Sequence, residues 1–279
     1  MDDTRAKTLI TVEELTRLLD AKAPVVLLDV LDEAGAAPDD RPKIPGALSV
    51  NLAADFSAEP TALSGRRPLP DIADLQAKAR AWGIRGDSIV VVYDSAGGAQ
   101  AARAWWTLRW AGLHNVRILD GGHPAWAAAG RPSYNRMATQ AAQAGEVVLT
   151  PGNMPTIEAA EAAALAKQGR LFDARPRSSY VGDPAKAGTG HIPGAIHAAA
   201  GDSIAEGKFK STNDLRERFS SLGTDSSGTI GVYCGSGNSA AHAVAAMTVA
   251  GLKPALYVGS WSAWSADSSR PVATGPERG

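Results

Sequence analysis

The chain repeats itself, and an internal repeat confines the fold more tightly than any single predicted element does. Thr11-Val12-Glu13 returns as Thr156-Ile157-Glu158, Leu27-Leu28-Asp29-Val30 as Leu171-Phe172-Asp173-Ala174, and Ile44-Pro45-Gly46-Ala47 as Ile192-Pro193-Gly194-Ala195. Val92-Tyr93-Asp94 returns as Val232-Tyr233-Cys234, and Trp110-Ala111-Gly112 as Val249-Ala250-Gly251. Gly121-Gly122-His123-Pro124-Ala125-Trp126 returns last, as Gly259-Ser260-Trp261-Ser262-Ala263-Trp264. The matches keep their order and nearly their spacing, so both halves are expected to fold alike. A chain of 279 residues has room for two such units.

Each half alternates short apolar, β-branched runs with helical patterns. In the first half a capping box at Thr11–Glu14 opens a helix carrying Leu15, Leu18 and Leu19. Val25–Val30 reads as a buried strand, followed by a polar, Pro-rich loop to Ile44. Asp71–Trp82 reads as a helix, Ser88–Asp94 as a second buried strand, and Gln100–Ala111 as a helix whose Trp105, Trp106 and Trp110 are core at helical spacing. Val116–Leu119 is a third strand, with a helical turn from Asp120 to Trp126. The expected class is α/β: two tandem domains, each a small parallel sheet flanked by helices. The expected boundaries are 1–135 for the first domain and 153–279 for the second. Between them, 136–152 reads as a linker that holds a short strand at Val147–Leu149.

Ligands in such folds gather at the C-terminal ends of strands, and there the two halves differ. The first presents Asp94 and the second Cys234, the only cysteine in the chain. Cys234 follows the strand Thr229–Tyr233 and precedes a loop with Gly235 and Gly237. A helix is expected over Ala240–Ala250, with Ser239 as its N-cap. Backbone N–H groups of such a loop converge on one point, the helix adds partial positive charge, and both favour thiolate over thiol. One half therefore reads as catalytic and the other as supporting.

Composition narrows the partners. Lys and Arg number 28 against 29 Asp and Glu, a formal net charge of −1, so neither nucleic acid nor an anionic membrane is an expected partner. A single cysteine forms no intramolecular disulfide, and the polar start Met1-Asp2-Asp3 leads into no apolar run of the ~18 residues that span a bilayer. A cytoplasmic location is expected. His191 and His197 flank the second Pro-Gly turn without metal-ligand company, so neither metal nor cofactor is expected. A cysteine phosphatase would need an arginine where Ala240 stands, and a thiol peroxidase a second cysteine.

Taken together, the tandem halves, the paired Ile-Pro-Gly-Ala turns and the Val-Tyr-[Asp/Cys] strand ends resemble the two-domain rhodanese-like sulfurtransferases. The resemblance covers roughly residues 8 to 275. It implies that Cys234 takes sulfur from a small-molecule donor, carries it as a persulfide, and passes it to a thiol, cyanide or protein-thiol acceptor. The loop Cys234-Gly235-Ser236-Gly237-Asn238-Ser239 resembles that of the 3-mercaptopyruvate enzymes, whereas thiosulfate users carry cations in this loop. Ser236 matches a serine that assists the cysteine or substrate in those relatives. The family's substrate arginine follows an Asp-x-Arg segment, but Ser179 occupies the matching position before Tyr180. Arg175, Arg177 and, from the first half, Arg67 are therefore the candidate anchors for the donor's anionic group. The alternative implied is a relay protein that hands its persulfide to a partner.

Overall fold

The structure, a computed structural model, describes residues 4–32, 41–61, 63–135, 138–186, 188–224 and 228–279. The polar N-terminal three residues, most of the Pro-rich loop before Ile44 and the first two positions of the expected linker lie outside the described residues. The chain divides into two compact units. The first comprises residues up to Ala58 together with Leu69–Asn153, and the second comprises Glu59–Pro68 with Met154–Gly279.

In the first unit, α1 (Thr4–Thr8) leads into strand β1 (Leu9–Ile10) and helix α2 (Val12–Asp20). The expected cap is present: Thr11 Oγ1 accepts from Glu14 N at 3.1 Å. β2 (Val25–Leu31), β3 (Leu48–Asn51), α3 (Leu52–Phe56) and α4 (Ile72–Ala81) follow. β4 (Ile89–Tyr93), α5 (Ala99–Trp110), β5 (Val116–Leu119) and α6 (Gly122–Ala128) complete it. The strands form one sheet in the order β1-β5-β4-β2-β3, with every neighbouring pair parallel. β4 sits centrally and is buried on both faces, as its unbroken apolar run requires. Trp105 and Trp106 are fully buried in α5.

The second unit repeats this plan. Its elements are β6 (Thr156–Ile157), α7 (Ala159–Lys167), β7 (Leu171–Asp173), α8 (Arg177–Val181) and β8 (Ile196–His197), then β9 (Ile204–Ala205), β10 (Lys208–Phe209) and α9 (Thr212–Ser221). β11 (Ile230–Tyr233), α10 (Asn238–Val249), β12 (Pro254–Tyr257) and α11 (Ser260–Trp264) follow. The sheet order β6-β12-β11-β7-β8, again all parallel, is the first unit's order strand for strand. The antiparallel hairpin β9–β10, turning at Glu206 and Gly207 with φ of +51° and +76°, has no counterpart among the first unit's described elements.

The repeated motifs have physical work in common. The Tyr93 hydroxyl accepts from Ile44 N at 3.2 Å, and the Tyr233 hydroxyl from Ile192 N at 3.1 Å. Each tyrosine thereby pins an Ile-Pro-Gly-Ala turn whose glycine has φ of +81° or +88°, the sign that favours glycine at that position. Trp126 Nε1 donates to Pro132 O at 2.8 Å and Trp264 Nε1 to Pro271 O at 2.9 Å, closing each unit at its last helix.

Two expectations are corrected. Residues 138–152 run along the first unit as an ordered strap: Gly145 N donates to Arg80 O at 2.7 Å, and Val147 O accepts from Arg80 Nε at 2.9 Å. Leu149 N donates to Gln76 Oε1 at 2.9 Å, so the strand expected at Val147–Leu149 is a strap bonded to α4 that joins no ladder. The helix after Cys234 begins at Asn238, capped by Gly237 at φ +96°, and Ser239 lies inside its first turn. Among the described residues, no helix is long and apolar enough to cross a membrane.

Candidate active site

β11 delivers Cys234 to the C-terminal edge of its sheet, and α10 and α11 fix it there. Its thiol is free and nearly buried, at 2% exposure. Gly237 N–H, at the N-terminus of the 12-residue α10, donates to Cys234 Sγ at 3.1 Å. A backbone donor and the positive end of a helix thus both face the sulfur.

The strand end is held from the side by α11. Trp261 N donates to Cys234 O at 2.8 Å and Ser262 N to Gly235 O at 3.0 Å. Ser260 is buried, and its Oγ accepts from Cys234 N at 3.2 Å while donating to Tyr257 O at 2.9 Å. Ser260 has φ of +52°, a conformation unfavourable for a residue with a side chain. The first half has Gly122 there at φ +58°. The second half bears this local strain where it gains a hydroxyl bonded to the cysteine backbone, the usual placement of such strain.

The first unit shows what this kind of loop holds. Asp94 occupies the matching strand end, and its carboxylate accepts from Ala96 N at 2.9 Å, Gly98 N at 2.8 Å and Ala101 N at 2.9 Å. Gly98 caps α5 as Gly237 caps α10, so the donor that meets Asp94 Oδ1 corresponds to the one that meets Cys234 Sγ. The loop is an anion cradle, and in the first unit the chain fills it with its own carboxylate.

The expected site residues fall into two groups. Ser236, Asn238 and Ser239 stand partly exposed around the cradle, and the Asn238 Oδ1 atom is buried with no hydrogen-bond partner among the described residues. Gly235 and Gly237 belong to the loop itself. Arg175 is committed elsewhere: its Nε and Nη2 grip the Asp173 carboxylate at 2.9 and 2.5 Å, and Nη2 also donates to Gly190 O at 2.7 Å. Its guanidinium lies 4.5 Å from the Trp261 ring centre, so Arg175 braces the floor and wall of the site and has little left to offer a donor. Arg177 is exposed at the first position of α8, and no bond joins it to the loop among the described residues. Arg67 is half-buried, and its neighbour Arg66 is the arginine whose guanidinium lies on the loop: a Cβ built on Gly235 would sit 3.2 Å from Arg66 Nη2. Sequence reasoning missed Arg66 because nothing local reveals that residues 59–68 pack with the second unit.

His242, one turn along α10 from Asn238, stacks on Phe209 at 4.6 Å between ring centres. Burial alone lowers its pKa from 6.5 to about 4, so it is neutral at physiological pH. Between those two values an unfolded chain binds a proton that the folded chain refuses. This contribution to stability is therefore complete above pH 6.5 and declines as pH falls towards 4, by about 3 kcal/mol in all. Urea titrations across that range should show His242→Leu with a shallower loss of stability than the parent; equal slopes would place the effect elsewhere.

A family model described as the rhodanese-like domain matches residues 11–129 and again residues 158–267. SseB of Mycobacterium tuberculosis, provisionally named a thiosulfate sulfurtransferase, is 44% identical over 97% of this chain and 98% of its own. A Pseudomonas aeruginosa protein, provisionally named a 3-mercaptopyruvate sulfurtransferase, is 43% identical over 83% of this chain and 84% of its own. Among solved structures, SseA from Escherichia coli, described as a 3-mercaptopyruvate sulfotransferase, superposes with a TM-score of 0.76 at 26% identity. That match covers 91% of this chain and 98% of SseA.

Proposed function

The chain belongs to the rhodanese-like domain family and is a sulfurtransferase, and from that premise we propose that it draws sulfur from 3-mercaptopyruvate in preference to thiosulfate, through a persulfide on Cys234. The observation that carries this reading is the Gly237 N–H aimed at Cys234 Sγ at 3.1 Å from the N-terminus of α10. The thiolate attacks the donor sulfur. An S–S bond forms as the C–S bond breaks, and the released electron pair goes to carbon, which takes a proton to give pyruvate. Cys234 then carries the outer sulfur as a persulfide anion, the charge for which the cradle is built. A thiol, cyanide or protein-thiol acceptor attacks that outer sulfur, the S–S bond breaks, and its electron pair returns to Cys234 Sγ.

The cradle's backbone amides, from Gly235 through Ser239, receive the negative charge in this reading, and the hydroxyl of the partly exposed Ser236 hydrogen-bonds the reacting sulfur or the donor. The donor choice rests on charge. Residues 234–239 carry no cationic side chain, which suits a singly charged carboxylate better than the thiosulfate dianion. A reduced cysteine is needed throughout, which supports a cytoplasmic location. With one thiol acceptor, kcat/KM for 3-mercaptopyruvate should exceed that for thiosulfate by about tenfold or more, a difference of ~1.4 kcal/mol in transition-state stabilisation. A preference for thiosulfate in the side-by-side assay would overturn the donor assignment and leave the sulfurtransferase reading standing.

A further inference from the structure

The carboxylate of such a donor needs a cation beside the loop. Arg175 is spent on Asp173 and Gly190, and the loop supplies none of its own. We propose that Arg66, carried to Cys234 by residues 59–68, anchors the donor's anionic group. This rests on the donor reading above.

Three observations support it. First, residues 59–68 separate from the sequence around them and pack as part of the second unit. Second, the segment is fixed against α11 and the residue before it. Gly65 has φ of +80°, and a Cβ there would lie 2.5 Å from Gly259 O, so only glycine allows so close an approach. Arg66 N then donates to the Ser262 Oγ at 3.0 Å, and Ser262 N donates to Gly235 O at 3.0 Å. One residue, Ser262, therefore ties both Arg66 and the cysteine loop to the same wall. Third, the exposed Arg66 guanidinium reaches Gly235, immediately after the cysteine.

Gly235 gains a meaning from this. Its φ lies outside the positive range, so its backbone makes no demand for glycine. What a side chain would occupy there is the space beside Arg66 Nη2, 3.2 Å away. The bare position leaves room for a planar, five-donor guanidinium and for the carboxylate that it grips in bidentate fashion. The cation of this site thus arrives from distant sequence, while the loop stays neutral. A donor held by one fixed arginine presents its sulfur towards the cradle, and a donor lacking an anionic group would lose that orientation.

The test compares the wild-type enzyme with Arg66→Ala, Arg66→Lys, Arg66→Gln and Gly65→Ala in steady-state assays with 3-mercaptopyruvate and one thiol acceptor. Arg66→Ala and Arg66→Gln should raise KM about 10- to 100-fold with kcat changed only a few-fold, because a charge-assisted anchor acts on bound donor throughout the reaction. Lysine should recover part of that loss, since it restores charge without the fork. Gly65→Ala should raise KM similarly by displacing the segment. Should Arg66→Ala unfold, judged by its melting curve, the lysine and glutamine pair decides, since only charge separates their effect on KM. An Arg66→Ala enzyme within twofold of wild type, or one that loses kcat alone, overturns the anchor. Mass spectrometry after donor alone separates the two levels: a wild-type enzyme that gains no sulfur on the Cys234 peptide overturns the persulfide reading, whereas normal sulfur uptake with an unaltered Arg66→Ala KM overturns the anchor only.

Discussion

Replacing Cys234 with serine should abolish sulfur transfer, lowering kcat/KM by roughly four orders of magnitude or more, while leaving the fold in place. The chain has no second thiol to take over the step. An alcohol in the same cradle is a poor nucleophile towards sulfur and forms no persulfide. Structurally the exchange is mild: the site is nearly closed at 2% exposure, and a serine Oγ can accept the Gly237 N–H that Sγ now accepts at 3.1 Å. The melting temperature should therefore move by only a few degrees. Two measurements check the pair of claims. Turnover with 3-mercaptopyruvate and a thiol acceptor should fall to background. The intact mass after donor treatment should gain one sulfur in the parent and none in the variant. Appreciable turnover by Cys234→Ser would remove Cys234 from the chemistry.

The second large effect lies beneath the cysteine. Asp173 is fully buried and receives Arg175 through Nε, Nη2 and its backbone N–H, with the backbone bond at 2.9 Å. Removing the acid alone leaves a guanidinium in the interior with its charge uncompensated, so Asp173→Ala should cost about 3–5 kcal/mol of unfolding free energy. The effect should be strongly non-additive. Arg175→Met combined with Asp173→Ala should be less damaging than the sum of the two single changes, because the double variant buries no charge at all. Urea unfolding of the four proteins measures the coupling directly. An additive result would mean that the pair contributes little beyond the individual side chains.

Much of the fold was legible because the strongest signals are those that burial imposes. β4 and β11 are central strands covered on both faces, so both read as unbroken apolar runs that end on Asp94 and Cys234. The repeat then lent each half the other's evidence. What escaped was set by contacts that no local pattern records. Val147, Val148 and Leu149 alternate between buried, 73% exposed and buried, as a strand would, yet packing against α4 produces that alternation without a ladder. The hairpin β9–β10 has strands of two residues each, too short for any periodicity. Ser239 has the chemistry of an N-cap, but a glycine that enters the left-handed region starts the helix two residues sooner. At the site, the cysteine, its loop and its helix were readable from one continuous stretch. Arg66 was not, since only the folded chain brings residues 59–68 beside Gly235.

The carboxylate of Asp94, locked among the amides of Ala96, Gly98 and Ala101, satisfies the first unit's loop from within the chain. Three amide donors are met by a side chain of the same loop, so its shape does not depend on anything bound. The second unit's loop carries the chain's one cysteine at the matching strand end, and there the Gly237 amide meets the sulfur.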